Sequence, residues 1–177
     1  MPPPPLVKQA IVKQYLRQFG LRVFVETGTF AAEMTAAVRG CAARVVSIEL
    51  DPAWHARAVA RFRGDPHVEL LQGDSGTRLP EVLATLTEPA LFWLDAHYSG
   101  PMTARGAIDS PIVRELAVIR EHPVDGHVVL IDDMRDFVGK DGYPTVPELL
   151  AWIRQVDPRA QVEVRDDILR WGPIKRR

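Results

Sequence analysis

Short runs of almost wholly apolar residues alternate along this chain with longer stretches in which apolar residues recur at helical spacing. The apolar runs predict strands at residues 22–26, 43–50, 67–72, 90–95 and 127–132. The stretches between and around them predict helices at 6–19, 31–40, from 52 onward, 75–86, 111–121 and 145–156. Continuously apolar strands separated by helices are typical of a parallel sheet that helices cover on both faces.

Two further β-rich runs close the chain, at 161–165 and 168–172. Their connection is too short for a parallel crossover, so they are predicted to pair as antiparallel neighbours. The pattern therefore predicts a doubly wound α/β fold, with a mostly parallel seven-stranded sheet and an antiparallel C-terminal hairpin. We expect one domain over residues 6–177 after a disordered proline-rich lead at 1–5. Ligands of such folds bind outside the carboxyl ends of the strands.

The amino-acid composition and net charge of the chain argue against several classes of function. The 177 residues are 46% hydrophobic and 25% charged, as in an ordinary soluble globular protein. A net charge of −1 argues against a nucleic-acid-binding surface over the whole molecule. No apolar run approaches the roughly 18 residues of a membrane span, and the first residues lack the features of a signal peptide. The single cysteine, Cys41, fits a cytoplasmic location and is expected to be buried.

Polar residues follow the first three predicted strands. The sequence ETGT follows the first strand; Gly28 allows a tight turn and a close approach to a ligand, and Thr29 could cap the next helix. Glu26, at the strand end, could bind a positively charged or hydroxyl-bearing group. Glu49 ends the second strand 21 positions after Gly28 (49 − 28), where an acid commonly accepts hydrogen bonds from a ribose. Asp74 follows the third strand and could accept from an adenine amino group. Glu49 or Asp74 alone could be a solvated loop charge, but together these residues predict a nucleoside site.

These motifs resemble those of the class I S-adenosylmethionine-dependent methyltransferases. The match runs over nearly the whole chain from Val23, through ETGT, IELDP, QGDS and WLDAH, and the antiparallel hairpin belongs to that family's Rossmann-like topology. The resemblance implies that S-adenosylmethionine binds with its methionine part near Glu26 and Gly28. The whole predicted cofactor-binding set is Glu26, Thr27, Gly28, Thr29, Glu49, Leu50, Asp74, Ser75 and Asp95.

One residue departs from the family pattern. Phe30 stands where the glycine-rich turn usually has its second glycine, and its side chain could pack on the start of the next helix. The absence of a GxGxxG motif also argues against a dinucleotide such as NAD.

A second group of acids follows the fourth and fifth strands. Asp95 ends WLD, and Asp132 and Asp133 end LIDD. In a sheet of this family these strands are neighbours about 4.8 Å apart, so the three carboxylates would repel one another unless a positive group lay between them. A divalent cation such as Mg²⁺ satisfies that requirement, which predicts a metal site at Asp95, Asp132 and Asp133. His97 is predicted to accept the substrate proton, and Asp95 to take part in catalysis.

Other roles for these side chains stay open. Asp132 or Asp133 could cap a turn, with Arg135 and Asp136 forming local pairs, and His97 could donate a loop hydrogen bond. The loop at 98–111 is a candidate substrate lid or a flexible connection.

The acid pattern resembles that of metal-dependent O-methyltransferases, catechol and macrocin O-methyltransferases among them. The resemblance implies transfer of a methyl group from S-adenosylmethionine to a hydroxyl of a small molecule, assisted by Mg²⁺. We expect a small-molecule acceptor, no membrane association, no nucleic-acid partner and a possible homodimer. Two alternatives remain: a non-catalytic domain that kept the nucleoside pocket, and a methyltransferase acting on a macromolecule.

Overall fold

A computed structural model describes residues 2–96, 111–140 and 142–174 of the chain. The strands are β1 (Val23–Thr27), β2 (Arg44–Glu49), β3 (Val68–Gln72), β4 (Ala90–Leu94), β5 (Val128–Ile131), β6 (Val162–Arg165) and β7 (Ile168–Trp171). The helices are α1 (Pro5–Gln18), α2 (Glu33–Val38), α3 (Pro52–Arg61), α4 (Ser75–Leu83), α5 (Ile112–Glu121) and α6 (Val146–Val156), with a 3₁₀ turn at Met134–Asp136. Every predicted strand and helix is present.

The strands form one seven-stranded sheet in the order β3-β2-β1-β4-β5-β7-β6. β1 to β5 are parallel, whereas β7 runs antiparallel to both β5 and β6. The predicted doubly wound α/β fold with a reversed C-terminal hairpin is therefore confirmed. The strand order reverses between β1 and β4, and the carboxyl ends of these two strands mark the place where such sheets bind ligands.

The core lies on both faces of the sheet, because successive side chains of a strand point to opposite faces. On one face Phe24 packs in a cluster with Val12 and Leu16 of α1. On the other face Val25 belongs to a larger cluster that includes residues of α4, α5 and α6. β1, β4 and β5 are buried along their whole length, which explains why their sequences are apolar throughout.

Two details differ from the sequence-based expectations. α1 begins at Pro5, inside the stretch predicted to be a disordered lead, since proline is well tolerated in the first turn of a helix. Cys41 is exposed, so the prediction that it is buried is wrong. It lies in the turn between α2 and β2, where its backbone N–H donates to the Val38 carbonyl at the surface of the molecule.

No helix in the described part of the chain is both long and apolar enough to cross a membrane.

Candidate functional site

Three of the predicted site residues, Gly28, Asp95 and Asp132, lie at one edge of the sheet, where the hydrogen-bond ladder continues one residue beyond the paired strands. The Gly28 N–H donates to the Ile48 carbonyl at 2.9 Å, and the Asp95 N–H donates to the Thr27 carbonyl at 3.0 Å. The Asp132 N–H donates to the Leu94 carbonyl at 3.1 Å. The residues that follow β1, β4 and β5 therefore lie side by side at the carboxyl edge.

The turn after β1 runs unusually close to the end of β4. Gly28 has φ +87°, and a Cβ atom added there would lie 2.5 Å from the backbone oxygen of Asp95. Only glycine combines that backbone conformation with that close approach. Phe30 has φ +44°, a region that bulky residues rarely adopt. The turn thus keeps a glycine-like backbone where the family pattern has its second glycine, and the Phe30 ring lies 4.4 Å from that of Trp54.

A buried hydroxyl network surrounds the carboxylate of Glu26. Its Oε2 accepts hydrogen bonds from Thr35 at 2.5 Å and from Ser47 at 2.6 Å, and the Ser47 hydroxyl also contacts that of Thr29 at 2.6 Å. Burial raises the pKa of Glu26 to about 7; the hydrogen bonds from Ser47 and Thr35 oppose that shift, and the charge of Glu49 adds to it. The expectation that Thr29 caps α2 is wrong, since the N-cap is Ala32 and no side chain caps this helix.

Glu49 is held rigidly at the end of β2. Its Oε2 accepts the Phe30 N–H at 2.7 Å and its Oε1 accepts the Asp51 N–H at 2.8 Å, and the residue is 7% exposed. An ionised carboxylate has about four lone-pair sites, so acceptor capacity remains for the hydroxyls of a ligand. Next to it, the Leu50 carbonyl accepts a hydrogen bond from the side chain of Gln72 at 2.9 Å.

Asp74 has a structural role of its own. It is the N-cap of α4, where its Oδ1 accepts the Thr77 N–H at 3.1 Å and the Thr77 hydroxyl at 3.2 Å. Such capping satisfies an N–H group that the helix leaves unpaired. Ser75, the first residue of α4, is buried. The contact of Asp74 and Ser75 with an adenine stays a prediction.

The acids that follow β4 and β5 converge as predicted. Asp95, Asp132 and Asp133 each offer a carboxylate oxygen, and these oxygens lie within 4.8 Å of one another. We call these three residues the acid cluster. Asp132 is 2% exposed, whereas Asp95 and Asp133 are half-buried. Hard oxygen donors at this spacing are of the kind that divalent cations bind.

Sequence reasoning missed the positive group at the acid cluster. Lys8, from the first turns of α1, has its Nζ 2.5 Å from Asp132 Oδ2 and 3.0 Å from Asp133 Oδ1. Burial lowers the pKa of Lys8, but the hydrogen bonds and charges of the two aspartates outweigh it and raise that pKa overall. The pKa of Asp132 is also raised, because its burial and the charge of Asp133 outweigh the effect of Lys8. The side chain of Lys8 is therefore protonated and positively charged.

Arg135 makes a second ion pair with the cluster. Its Nη1 lies 2.7 Å from Asp133 Oδ1, and the same guanidinium binds Asp167 in the turn between β6 and β7. Hydrogen bonds with Asp133 and Asp167 raise the pKa of Arg135. The local pairing of Asp133 with Arg135, one of the two interpretations left open by the sequence, is present. Asp133 itself has φ +54°, a conformation that aspartate tolerates better than most residues.

His97 and residues 98–110 lie outside the described residues, so the proton acceptor and the lid stay predictions. Beside the acid cluster the structure has a small cleft, lined mainly by apolar groups such as Leu94, Phe137 and Tyr143. Asp132 and the buried Glu115 of α5 also line this cleft.

Comparison with solved structures identifies the fold. An O-methyltransferase from Bacillus cereus in complex with SAH (S-adenosylhomocysteine) matches with a TM-score of 0.70 and 16% identity, over 98% of this chain and 82% of its own. The SAH-bound methyltransferase PaMTH1 from Podospora anserina matches with a TM-score of 0.69 and 16% identity, over 96% and 79%. The chain has an O-methyltransferase fold. TomG, an O-methyltransferase from Streptomyces achromogenes in complex with SAM (S-adenosylmethionine), shares it, with a TM-score of 0.67 and 17% identity over 96% and 80%.

No protein-family model and no curated protein matches the sequence. The likeness to these solved structures is therefore one of fold, at sequence identities of only 16–17%.

Proposed function

We propose that the protein is an S-adenosylmethionine-dependent methyltransferase that methylates a hydroxyl of a small molecule. The observation that carries the proposal is the carboxylate of Glu49, fixed by two backbone N–H groups beside the Gly28 turn. The Gly28 turn follows β1, where the strand order reverses, and Glu49 ends the adjacent strand β2 at the same carboxyl edge of an O-methyltransferase fold.

The residues at this edge fit S-adenosylmethionine. Gly28 lacks a side chain where the backbone must approach a ligand, and Glu49 has acceptor capacity for the two ribose hydroxyls. Glu26, with its hydroxyl network, would hold the methionine part, and Asp74 with Ser75 would border the adenine. When bound, the cofactor supplies a methyl group on a positively charged sulfur.

The protein's contribution to the reaction is mainly orientation. The acceptor oxygen forms a bond to the methyl carbon while the bond from that carbon to sulfur breaks, and the hydroxyl proton passes to a base. His97, two residues after Asp95, is the proposed base. Holding the acceptor oxygen in line with the carbon–sulfur bond is worth a large part of the barrier, because the two reactants no longer have to meet in solution.

Magnesium was predicted from the sequence, and the acid cluster has the oxygen donors that it prefers. The same oxygens of Asp132 and Asp133 already accept hydrogen bonds from the Lys8 ammonium. A divalent ion bound to them would displace Lys8 or face its charge at close range. With Lys8 in this position the site does not fit a resident Mg²⁺, and the proposed reaction has no metal step.

A small acceptor is favoured by the O-methyltransferases that share the fold, one of them involved in tomaymycin synthesis. A domain that binds the cofactor without catalysis is the second candidate, and no turnover on any phenol, sugar or amine would favour it. A macromolecular acceptor is the third. The homodimer and the cytoplasmic location stay predictions.

Calorimetry with S-adenosylhomocysteine tests the proposed function. We expect saturable binding to the wild-type chain, and we expect Glu49→Ala to weaken it by about ten- to 100-fold, because a hydrogen bond to a charged group contributes about 1.5–3 kcal/mol. Glu69→Ala is the matched control, since this acid on the neighbouring strand β3 is exposed and pairs with Arg44 at the surface. Circular dichroism verifies that each variant is folded. Absence of any binding to the wild-type chain would reject the proposal.

A further inference from the structure

Lys8 of α1 forms ion pairs with Asp132 and Asp133 of the acid cluster, and the proposed function assigns Lys8 no role. We propose that Lys8 is a built-in cation that takes the place of a divalent metal ion at Asp95, Asp132 and Asp133. The consequence for catalysis rests on the proposed methyltransferase function, but the substitution of ammonium for metal does not.

The first argument is the use of the donor atoms. A metal ion at the cluster would need oxygens of Asp132 and Asp133 as ligands. Asp132 Oδ1 accepts the Asp133 N–H at 2.8 Å, and Asp132 Oδ2 accepts from Lys8 Nζ, a cation that, unlike a backbone N–H, would repel a metal ion at the same oxygen. Asp133 Oδ1 accepts from both Lys8 and Arg135. One oxygen of Asp132 and one of Asp133 are therefore already bound to cationic side chains.

The second argument is charge. Three clustered carboxylates carry three negative charges, which a buried site cannot hold without compensation. Lys8 brings one positive charge to the cluster, and Arg135 brings a second that it shares with Asp167. A divalent cation added beside Lys8 would meet a like charge inside the protein, where water screens such repulsion poorly.

The third argument is the anchoring of Lys8. The residue is 17% exposed, and the helix that carries it is fixed to the sheet by Val12 and Leu16, both almost completely buried. Val12 lies one helical turn after Lys8 and thus on the same side of α1. Docking of α1 on the sheet therefore brings the ammonium to the cluster as a fixed part of the fold, not as a mobile surface side chain.

Two consequences follow for the site. The positive charge that would stabilise a developing acceptor oxyanion comes from the chain itself, so methyl transfer is independent of divalent ions. Helix α1 also becomes part of the site, although Lys8 lies 124 and 125 positions from Asp132 and Asp133 in sequence.

Titration with Mn²⁺, followed by the loss of the free ion's electron paramagnetic resonance signal, tests the proposal on the full chain without any acceptor substrate. We expect no saturable binding to the wild-type protein at micromolar Mn²⁺. Lys8→Met removes the charge at similar length and should raise the affinity at least about tenfold, the size of effect that neighbours of metal ligands commonly have. Lys13→Met is the matched control on the same helix, because Lys13 makes no ion pair with a described residue, and its affinity should equal that of the wild type.

Two results of the Mn²⁺ titration would contradict the proposal. One Mn²⁺ per wild-type chain at micromolar concentration, lost in Asp132→Asn, would overturn the proposal even if Lys8→Met failed to fold. A folded Lys8→Met chain that gains no affinity would overturn it as well, because the cluster would then not be a metal-type site.

Binding of S-adenosylhomocysteine is measured separately on the same samples. Failure of that binding would reject the methyltransferase function and leave the Mn²⁺ titration to decide the role of Lys8. If an acceptor is found, the rate of the wild-type enzyme should be unchanged by EDTA; a rate that EDTA abolishes and Mg²⁺ restores would overturn the proposal.

Discussion

Gly28 shows how a single residue sets the geometry of the candidate site. Its positive φ turns the chain after β1, and the missing side chain lets that turn lie against the backbone of Asp95 and Ala96. The turn after β1 and the start of the acid cluster are therefore in direct backbone contact at Gly28.

We expect Gly28→Ala to destabilise the protein and to disturb both parts of the site. The new methyl group would lie 2.5 Å from the Asp95 oxygen, and overpacking of this kind costs about 1–3 kcal/mol of unfolding free energy in addition to the strain of a positive φ. Urea unfolding measures the loss, and calorimetry with S-adenosylhomocysteine measures the effect on binding. Gly20→Ala is the matched control, because Gly20 also has a positive φ but no atom within 4 Å of the added Cβ. Equal losses in the two variants would contradict the steric explanation.

At the scale of elements, the helices are fixed by short local motifs as well as by packing. α6 begins with a capping box, in which the Thr145 hydroxyl accepts the Glu148 N–H and the Glu148 carboxylate accepts the Thr145 N–H at 2.8 Å. Hydrogen bonds from the Thr145 hydroxyl and from the Thr145 N–H to the Glu148 carboxylate lower the pKa of this exposed carboxyl. The apolar face of α6 then buries Leu149 and Ile153 against the sheet.

Thr145→Ala is expected to lower the free energy of unfolding by about 1 kcal/mol, the usual value of an N-cap side chain. Chemical denaturation followed by circular dichroism measures this change. Thr145→Ser keeps the hydroxyl and should retain most of the stability. A serine variant as unstable as the alanine variant would show that the methyl group of Thr145, not its hydrogen bond, is what matters.

At the scale of the whole molecule, a buried pair of histidines ties β4 to β5. The Ala90 N–H donates to His127 Nδ1 at 3.0 Å, and His127 Nε2 lies 2.8 Å from His122 Nδ1. Since Nδ1 of His127 accepts a hydrogen bond, the ring is neutral, with its proton on Nε2. Burial is the main cause that lowers the pKa of His127, to about 4, and the charge of the nearby His122 is the second.

This shift predicts a pH dependence of global stability. In the unfolded chain His127 takes up a proton near pH 6.5, but in the folded chain only near pH 4. The unfolded state thus binds more protons between these values, so the stabilisation is complete above about pH 6.5 and is lost as the pH falls towards 4, by about 3 kcal/mol at most. Urea unfolding at several pH values measures the slope.

His127→Asn is the informative variant for that slope. Its side-chain oxygen can still accept the Ala90 N–H, but it does not titrate, so the dependence between pH 4 and 6.5 should flatten. An unchanged slope would assign the acid sensitivity to other groups.

The sequence by itself determined the order and type of the elements and the position of acids at the ends of β1 to β5. These features depend on local periodicity: an apolar run specifies a buried strand, and a polar residue directly after it reaches the carboxyl edge of a parallel sheet. That is why the sequence predicts the position of Glu49 at a strand end, and why it predicts the convergence of Asp95 with Asp132 and Asp133, which the structure confirms.

Only the tertiary structure decided what neutralises that cluster. Lys8 lies 124 positions from Asp132, and nothing in the spacing of the helix indicates which acid its ammonium reaches. The sequence also does not predict the pairing of Arg135 with Asp167 or the glycine-like backbone of Phe30. Such contacts depend on how α1 and the final hairpin dock on the sheet, and docking is set by packing over the whole core rather than by any local pattern.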